Sequence, residues 1–324
     1  MQQLQDYFQN RLPRIEACLE SQIKTMNSMV SPVASHILQA GGKRLRPMLC
    51  LLTARTMDAS LEEERLYPLA CALELVHSAT LLHDDVLDNA EMRRGKAAAH
   101  LLYGVTETIL AGDALLALAN QIVTAYGSVP LVSCISQAIY ETASGEILEI
   151  QKMKQPNLSC EEYLEIVRGK TGCLIQTACQ SGAIMGEAKD ALQQAAGDFG
   201  LNLGIAFQLV DDALDYAASP SHLGKPLGGD LREGKLTLPL IYFLQELSSG
   251  QRQALLLKIK DRRLTEEERT WILEQIQERR LGHRTREVAG TYLHAARNAL
   301  KALPTGEEHS LLQQMLDFIK SRQH

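Results

Sequence analysis

The chain has 324 residues, of which 45% are hydrophobic, and a formal net charge of -6. That length admits one large domain or two, and the apolar content is ample for a sizeable core. The negative balance argues against nonspecific nucleic-acid binding, and the positive charge is local, in GGKRLRP and MRRGK. The seven cysteines (Cys18, Cys50, Cys71, Cys134, Cys160, Cys173, Cys179) include no CxxC pair and no zinc spacing. Most have apolar neighbours, which points to buried free thiols and a reducing, cytoplasmic setting. The polar start, MQQLQDYFQNRLPRIEACLE, lacks a signal-peptide core. No segment offers the roughly 20 apolar residues that span a bilayer, so membrane contact is expected to be peripheral at most.

In chain order, residues 1–39 predict one or two amphipathic helices interrupted near Pro32. Gly41 to Pro47, GGKRLRP, reads as a glycine-opened basic turn before an apolar run. Residues 66–89 predict a long helix ending in DDVLD, and NAEMRRGK after it reads as a polar loop. Two apolar helices are predicted over 105–126 and 130–154. Gln155-Pro156-Asn157 breaks the second, and Ser159 is a plausible cap for EEYLEIV. KTGCLIQTACQSGAIMG continues as a small-residue helix suited to close packing. Residues 190–216 carry a second acidic motif, DDALD, and SPSHLGKPLGGDLREGK is a Gly/Pro-rich loop with Lys225, Asp230 and Lys235. The remainder is helical, with a strongly charged and exposed segment at 265–280. Alanine and leucine dominate, strand-like alternation is absent and no linker is found, so the expectation is an all-α single domain over 1–324.

The acidic motifs carry the chemistry. Asp84 and Asp88, like Asp211 and Asp215, are i,i+4 neighbours and project from one helix face. Carboxylates at the end of an apolar helix are costly unless a cation or hydrogen bonds compensate them. Magnesium prefers oxygen ligands, keeps waters and bridges to phosphates, so two such faces suit a magnesium cluster with a diphosphate between them. A solvated charged face is the alternative, weakened by the duplication. Lys43, Arg44 and Arg46 suit a diphosphate through a point charge and forked hydrogen bonds, and a solvent-facing basic turn is the rival reading. Arg93 and Arg94 follow Asp88 closely and can reach a metal-bound phosphate or form salt bridges. His77 lies seven residues before Asp84, almost directly below it. A lone histidine there is usually a core residue, and His83 reads as structural or as a support behind the aspartates. Gln208 shares a face with Asp211 and Asp215, and its amide oxygen suits either a nearby positive charge or a core hydrogen bond. Lys170 and Thr171 are equally ambiguous. Hydrolase, metalloprotease and nucleotide-binding fingerprints are absent.

From about Gly41 onward the chain closely resembles the trans-isoprenyl (polyprenyl) diphosphate synthase family. The resemblance rests on five ordered blocks: GGKRLRP, HSATLLHDDVLDNAEMRRGK, the KT pair, AFQLVDDALD and LGKPLGGDLREGKLTLP. It implies an all-helical bundle around a deep central cavity, a homodimer or a heteromer with a small subunit, and magnesium. It implies that Asp84, Asp88 and Asp211 hold the metal on an allylic prenyl diphosphate, with Asp85, Asp212 and Asp215 behind them or as additional ligands. Arg93, Lys170, Lys225 and Lys235 would bind that diphosphate. Lys43, Arg46, His77 and Arg94 would bind isopentenyl diphosphate. Thr171 and Gln208 would face the allylic carbon, and Lys320 and Arg322 would help close the site. The implied reaction ionises the allylic diphosphate, joins the resulting cation to the isopentenyl double bond and loses a proton to the departing diphosphate. Peripheral membrane contact could serve release of a long product.

Short-chain relatives of that family often carry an aromatic residue five positions before the first aspartate, or an insertion in the motif. Here that position is Ala79 and the motif is compact. Val76, Ala79 and Thr80 share a helical patch running down from Asp84, and Ala72 is also small. The expected product is therefore longer than twenty carbons, and the length itself is not legible. A farnesyl or geranylgeranyl diphosphate synthase and the catalytic subunit of a heteromeric synthase are the nearest alternatives. A terpene cyclase usually lacks the second motif and has no use for GGKRLRP. A non-enzymatic divalent-cation binder leaves the basic blocks unexplained.

Overall fold

The computed structural model describes residues 1–153, 158–217 and 227–321, and among these helices dominate. They group into two compact units. One comprises Met1–Tyr140, Leu174–Gly200 and Ala299–Met315, and the other Glu141–Cys173, Leu201–Asn298 and the stretch from Leu316.

In the first unit, α1 (Gln2–Thr25), α2 (Ser31–Leu38), α3 (Leu45–Met57), α4 (Tyr67–Leu87), α5 (Ala99–Tyr103) and α6 (Val105–Thr124) follow in order. The sequence of α4 is apolar on nearly every side, and it is the core helix. Leu69, Leu75, Ala79 and Leu82 are wholly buried, and α4 packs chiefly on α6, then on α3. Pro68 opens α4, where its missing N–H costs nothing. Asn89 closes it with φ 51°, the left-handed turn that lets the Ala90 N–H reach back to the Asp85 carbonyl at 2.9 Å. The acidic motif is therefore the last turn of a buried helix.

The expected polar loop after it is instead a tight antiparallel hairpin, β1 (Met92–Arg93) with β2 (Lys96–Ala97). Arg94 and Gly95 occupy its turn with φ 51° and 79°, two successive left-handed residues of the kind a two-residue hairpin needs.

Among the helices whose residues fall in both units are α7 (Val129–Met153), α9 (Cys173–Met185) and α10 (Asp190–Ala217). The close packing expected of α9 is present: a Cβ on Gly182 would lie 2.5 Å from the Cys50 carbonyl oxygen of α3. In the second unit, Ser159 caps α8 (Cys160–Val167) reciprocally with Glu162, at 3.2 and 2.9 Å, as the sequence predicts. A π turn, Arg168–Gly172, joins α8 to α9. Beyond α10 come a short helix, Gly229–Glu233, then Leu238–Gln245, Ser249–Lys260, Glu266–Glu278, Leu281–Leu300 and Glu307–Ser321. Glu266–Glu278 is the charged, largely exposed segment, anchored by buried Ile272 and Ile276. No helix of the described residues is long and apolar enough to cross a membrane.

Candidate active site

The first unit gathers one set of candidates. Arg44 stands at φ 46° just before α3 and is 2% exposed. Its guanidinium donates to Glu16 at 2.7 and 3.2 Å, to buried Glu74 at 2.7 Å and to the Leu38 carbonyl at 2.6 Å. This corrects the reading of Arg44 as a diphosphate ligand: its donors are turned into protein. The signal was present in Glu74, a carboxylate inside an apolar helix run that requires a buried cation. Pinning Arg44 leaves Lys43 exposed and Arg46 half-buried on either side of it.

The hairpin brings its arginine to the same loop. The Arg94 guanidinium rests on Gly42, where a Cβ would come within 2.9 Å of Nη1. His77, half-buried on α4, faces this group. Burial and the charges of Arg46, Arg94, Arg44 and Arg93 hold its imidazole well below the usual histidine range, so it is neutral at pH 7. Arg46, His77 and Arg94 thus lie in one electrostatic environment, with Lys43 on the adjoining turn.

In DDVLD the three aspartates differ. Asp85 is fully buried and accepts from Arg93 Nε at 2.8 Å, so that arginine is held at the helix end. Its second oxygen, Oδ2, is buried without a hydrogen-bond partner. Asp84 and Asp88 are half-buried at the rim. His83 is structural: its Nε2 lies 3.0 Å from the Ile109 carbonyl, over Gly112 of α6. The patch Val76, Ala79 and Thr80 divides. Val76 and Ala79 are packed at 1% and 0% exposure, while Thr80 lies with His77, Leu81 and Asp84 on the accessible stripe of α4.

The second unit holds the other set. Asp211 is exposed and Asp212 is buried. Asp212 accepts from the Tyr163 hydroxyl and from Gln208 Nε2 at 2.9 Å, while Gln208 Oε1 accepts from Thr171 Oγ1 at 3.2 Å. A continuous chain therefore runs from Thr171 through Gln208 and Asp212 to Tyr163. The amide oxygen of Gln208 serves Thr171. Burial pushes the Asp212 carboxyl up to about 7, against the pull of the Tyr163 and Gln208 hydrogen bonds. Asp215 accepts from the backbone N–H groups of Gly229 and Asp230, both at 3.0 Å, at the start of the short helix Gly229–Glu233. Burial raises its carboxyl as well. Asp230 is pushed up to about 8 by burial and by the charges of Asp215 and Asp212. Lys235 donates its backbone N–H to the Asp230 carbonyl at 2.9 Å and its ammonium to Glu233 at 2.7 Å.

Lys170 is held by two glutamates of α7, Glu146 at 2.7 Å and Glu149 at 2.5 Å. Sequence reasoning missed these partners and Tyr163, and it named Asp230 without giving it a role. An i,i+3 glutamate pair on an otherwise apolar helix was the available signal for the first, and Tyr163 had none. Lys320 is exposed near the end of its helix. Lys225 and Arg322 lie outside the described residues.

The carboxylates suit a hard divalent ion. Buried, mutually repelling groups with raised protonation ranges, and the orphaned Asp85 oxygen, are charge and donor capacity that such an ion would satisfy. Among the described residues no three His, Cys, Asp or Glu side chains already converge on one metal position. Magnesium commonly takes one or two carboxylates and completes its shell with water and phosphate.

This all-α architecture is the isoprenoid-synthase fold. A family model described as Polyprenyl synthetase matches residues 27–276, and the chain belongs to that family, whose members are prenyltransferases. It is 36% identical over 239 residues to octaprenyl diphosphate synthase of Escherichia coli, covering 74% of this chain and 73% of that one. It is 33% identical over 308 residues to heptaprenyl diphosphate synthase component 2 of Bacillus subtilis, covering 95% and 87%. The crystal structure of a polyprenyl synthase from Caulobacter crescentus complexed with calcium and isoprenyl diphosphate superposes with a TM-score of 0.89 at 35% identity, covering 100% of this chain and 98% of that one.

Proposed function

We propose that the chain is one catalytic domain that condenses isopentenyl diphosphate with an allylic prenyl diphosphate, with magnesium, into a linear all-trans product longer than twenty carbons. The observation that carries this reading is the shared environment of neutral His77 with Arg46 and Arg94, next to an acidic helix end. Arg46 and Arg94 offer forked charge-assisted donors, Lys43 a point charge, and His77 an N–H donor without further charge. Together they suit the diphosphate of isopentenyl diphosphate. Asp84, Asp88 and Asp211 are the proposed magnesium ligands, backed by Asp85, Asp212, Asp215 and Asp230. Bound magnesium supplies Lewis-acid charge at the allylic diphosphate. Arg93, fixed by Asp85, and Lys170, Lys225 and Lys235 bind that diphosphate as its bond to carbon breaks and it leaves with the electron pair. The isopentenyl double bond then joins the allylic carbon near Thr171 and Gln208, and the proton passes to the departing diphosphate.

Relatives named octaprenyl and heptaprenyl diphosphate synthases support the long product. A relative named as a component 2 favours a second reading, the catalytic subunit of a heteromeric synthase. The first reading includes a homodimer in the cytoplasm. Incubation with farnesyl or geranylgeranyl diphosphate, labelled isopentenyl diphosphate and magnesium should yield an elongated chain, and chelation should abolish it. Asp84→Ala and Asp211→Ala should chiefly lower turnover, because the stabilisation grows as the leaving group departs. No elongation, alone or with a small second subunit, means that the assignment is wrong.

A further inference from the structure

The π turn Arg168–Gly172 carries Lys170 and Thr171 on successive positions. Such turns insert an extra residue into a helical path and recur where side chains must be re-aimed. Two helices hold this one. Toward α10, Thr171 donates to Gln208, and Gly172 is close enough that a Cβ would meet Leu201 at 2.9 Å. Toward α7, the backbone itself touches. A Cβ on Gly145 would lie 3.0 Å from both the Gly169 Cα and the Lys170 nitrogen, and one on Gly169 would lie 3.0 Å from the Gly145 Cα. Glu146 and Glu149 follow Gly145 on the same helix and receive the Lys170 ammonium at 2.7 and 2.5 Å. The Lys170 side chain keeps 25% of its surface, so it is seated yet reachable.

We infer that Gly145 is a positioning residue: its missing side chain lets the π turn close on α7 and seat Lys170 between Glu146 and Glu149, the pose from which Lys170 meets the allylic diphosphate. This rests on the role proposed above for Lys170. Atoms at 3.0 Å must give by a few tenths of an ångström if a methyl group is added, and small misplacements of a charged group cost rate steeply.

The test is a cycle of Gly145→Ala, Lys170→Ala and the double variant, with Gly290→Ala as control. Gly290 is also helical, and a Cβ there meets nothing within 4 Å. Gly145→Ala should lower kcat/KM for the allylic substrate by roughly tenfold, leave KM for isopentenyl diphosphate within about twofold, and add nothing in the Lys170→Ala background. Reductive methylation followed by mass spectrometry reads the seat without turnover: Lys170 should modify faster in Gly145→Ala than in the parent. An unchanged methylation rate, or a kinetic penalty that persists in full without Lys170, overturns the inference. If methylation rises but Lys170→Ala itself leaves allylic kinetics intact, the seat stands and the allylic role of Lys170 falls. Should Gly145→Ala not fold, Glu149→Gln, which keeps the shape and removes the charge, carries the same methylation and kinetic comparison.

Discussion

At the scale of residues, Lys43 and Arg44 are chain neighbours with opposite fates. Arg44 neutralises Glu74 inside the protein, while Lys43 faces solvent. Arg44→Ala strands a buried carboxylate and should cost about 3–5 kcal/mol in denaturant unfolding. Lys43→Ala should leave stability within about 0.5 kcal/mol and weaken isopentenyl diphosphate binding by about 1.5–3 kcal/mol. Similar unfolding midpoints for both variants would contradict the burial argument. His77 gives a pH signature. The folded state keeps it neutral, whereas the unfolded chain protonates it near the ordinary value of 6.5. Stability from this group is therefore complete above that value and lost as pH falls through it, by at most about 1.4 kcal/mol per pH unit. His77→Gln should flatten the difference between urea midpoints at about pH 7.5 and about pH 5.5, and an identical pH slope in parent and variant would refute the neutral state.

Among the elements, α4 bears both the acidic motif and the stripe beneath it. Thr80 is on the accessible side with His77 and Asp84, whereas Ala79 is packed. An aromatic ring at either position should shorten the product toward fifteen or twenty carbons, by different routes. Thr80→Phe adds bulk where there is room and should leave the melting temperature nearly unchanged. Ala79→Phe overpacks a filled position and should also cost about 1–3 kcal/mol of stability. Chromatography of the dephosphorylated products, set beside thermal unfolding, separates the two. A parental product ladder from both folded variants would mean that this helix does not flank the growing tail.

For the molecule as a whole, α5 and α6 expose Leu101, Leu102, Val105 and Leu110 at 50–58%. Large apolar side chains this open suit an association surface, and the proposed homodimer would be expected to use them. Leu110→Asp combined with Val105→Asp should convert a dimer to a monomer by sedimentation equilibrium. An unaltered mass, or a monomeric parent, would remove this face from the homodimer proposal.

How much of this was legible depended on sequence distance. Helical class, the acidic helix ends and the Ser159 cap follow from spacings of three or four residues and from the Ala- and Leu-rich composition, because a helix is written in short-range periodicity. The pairing of polar groups was decided in three dimensions. Arg44 meets Glu74 across 30 residues, Lys170 meets Glu149 across 21, and Tyr163 meets Asp212 across 49. No local rule relates such partners. Each buried charge demands compensation, but only the packed chain determines which neighbour supplies it. The sequence by itself therefore determined an all-α member of its family and the residue types of its candidate site. The tertiary structure decided which of those residues stay accessible and which hold the others in place, because burial and pairing are set by packing between segments far apart in sequence.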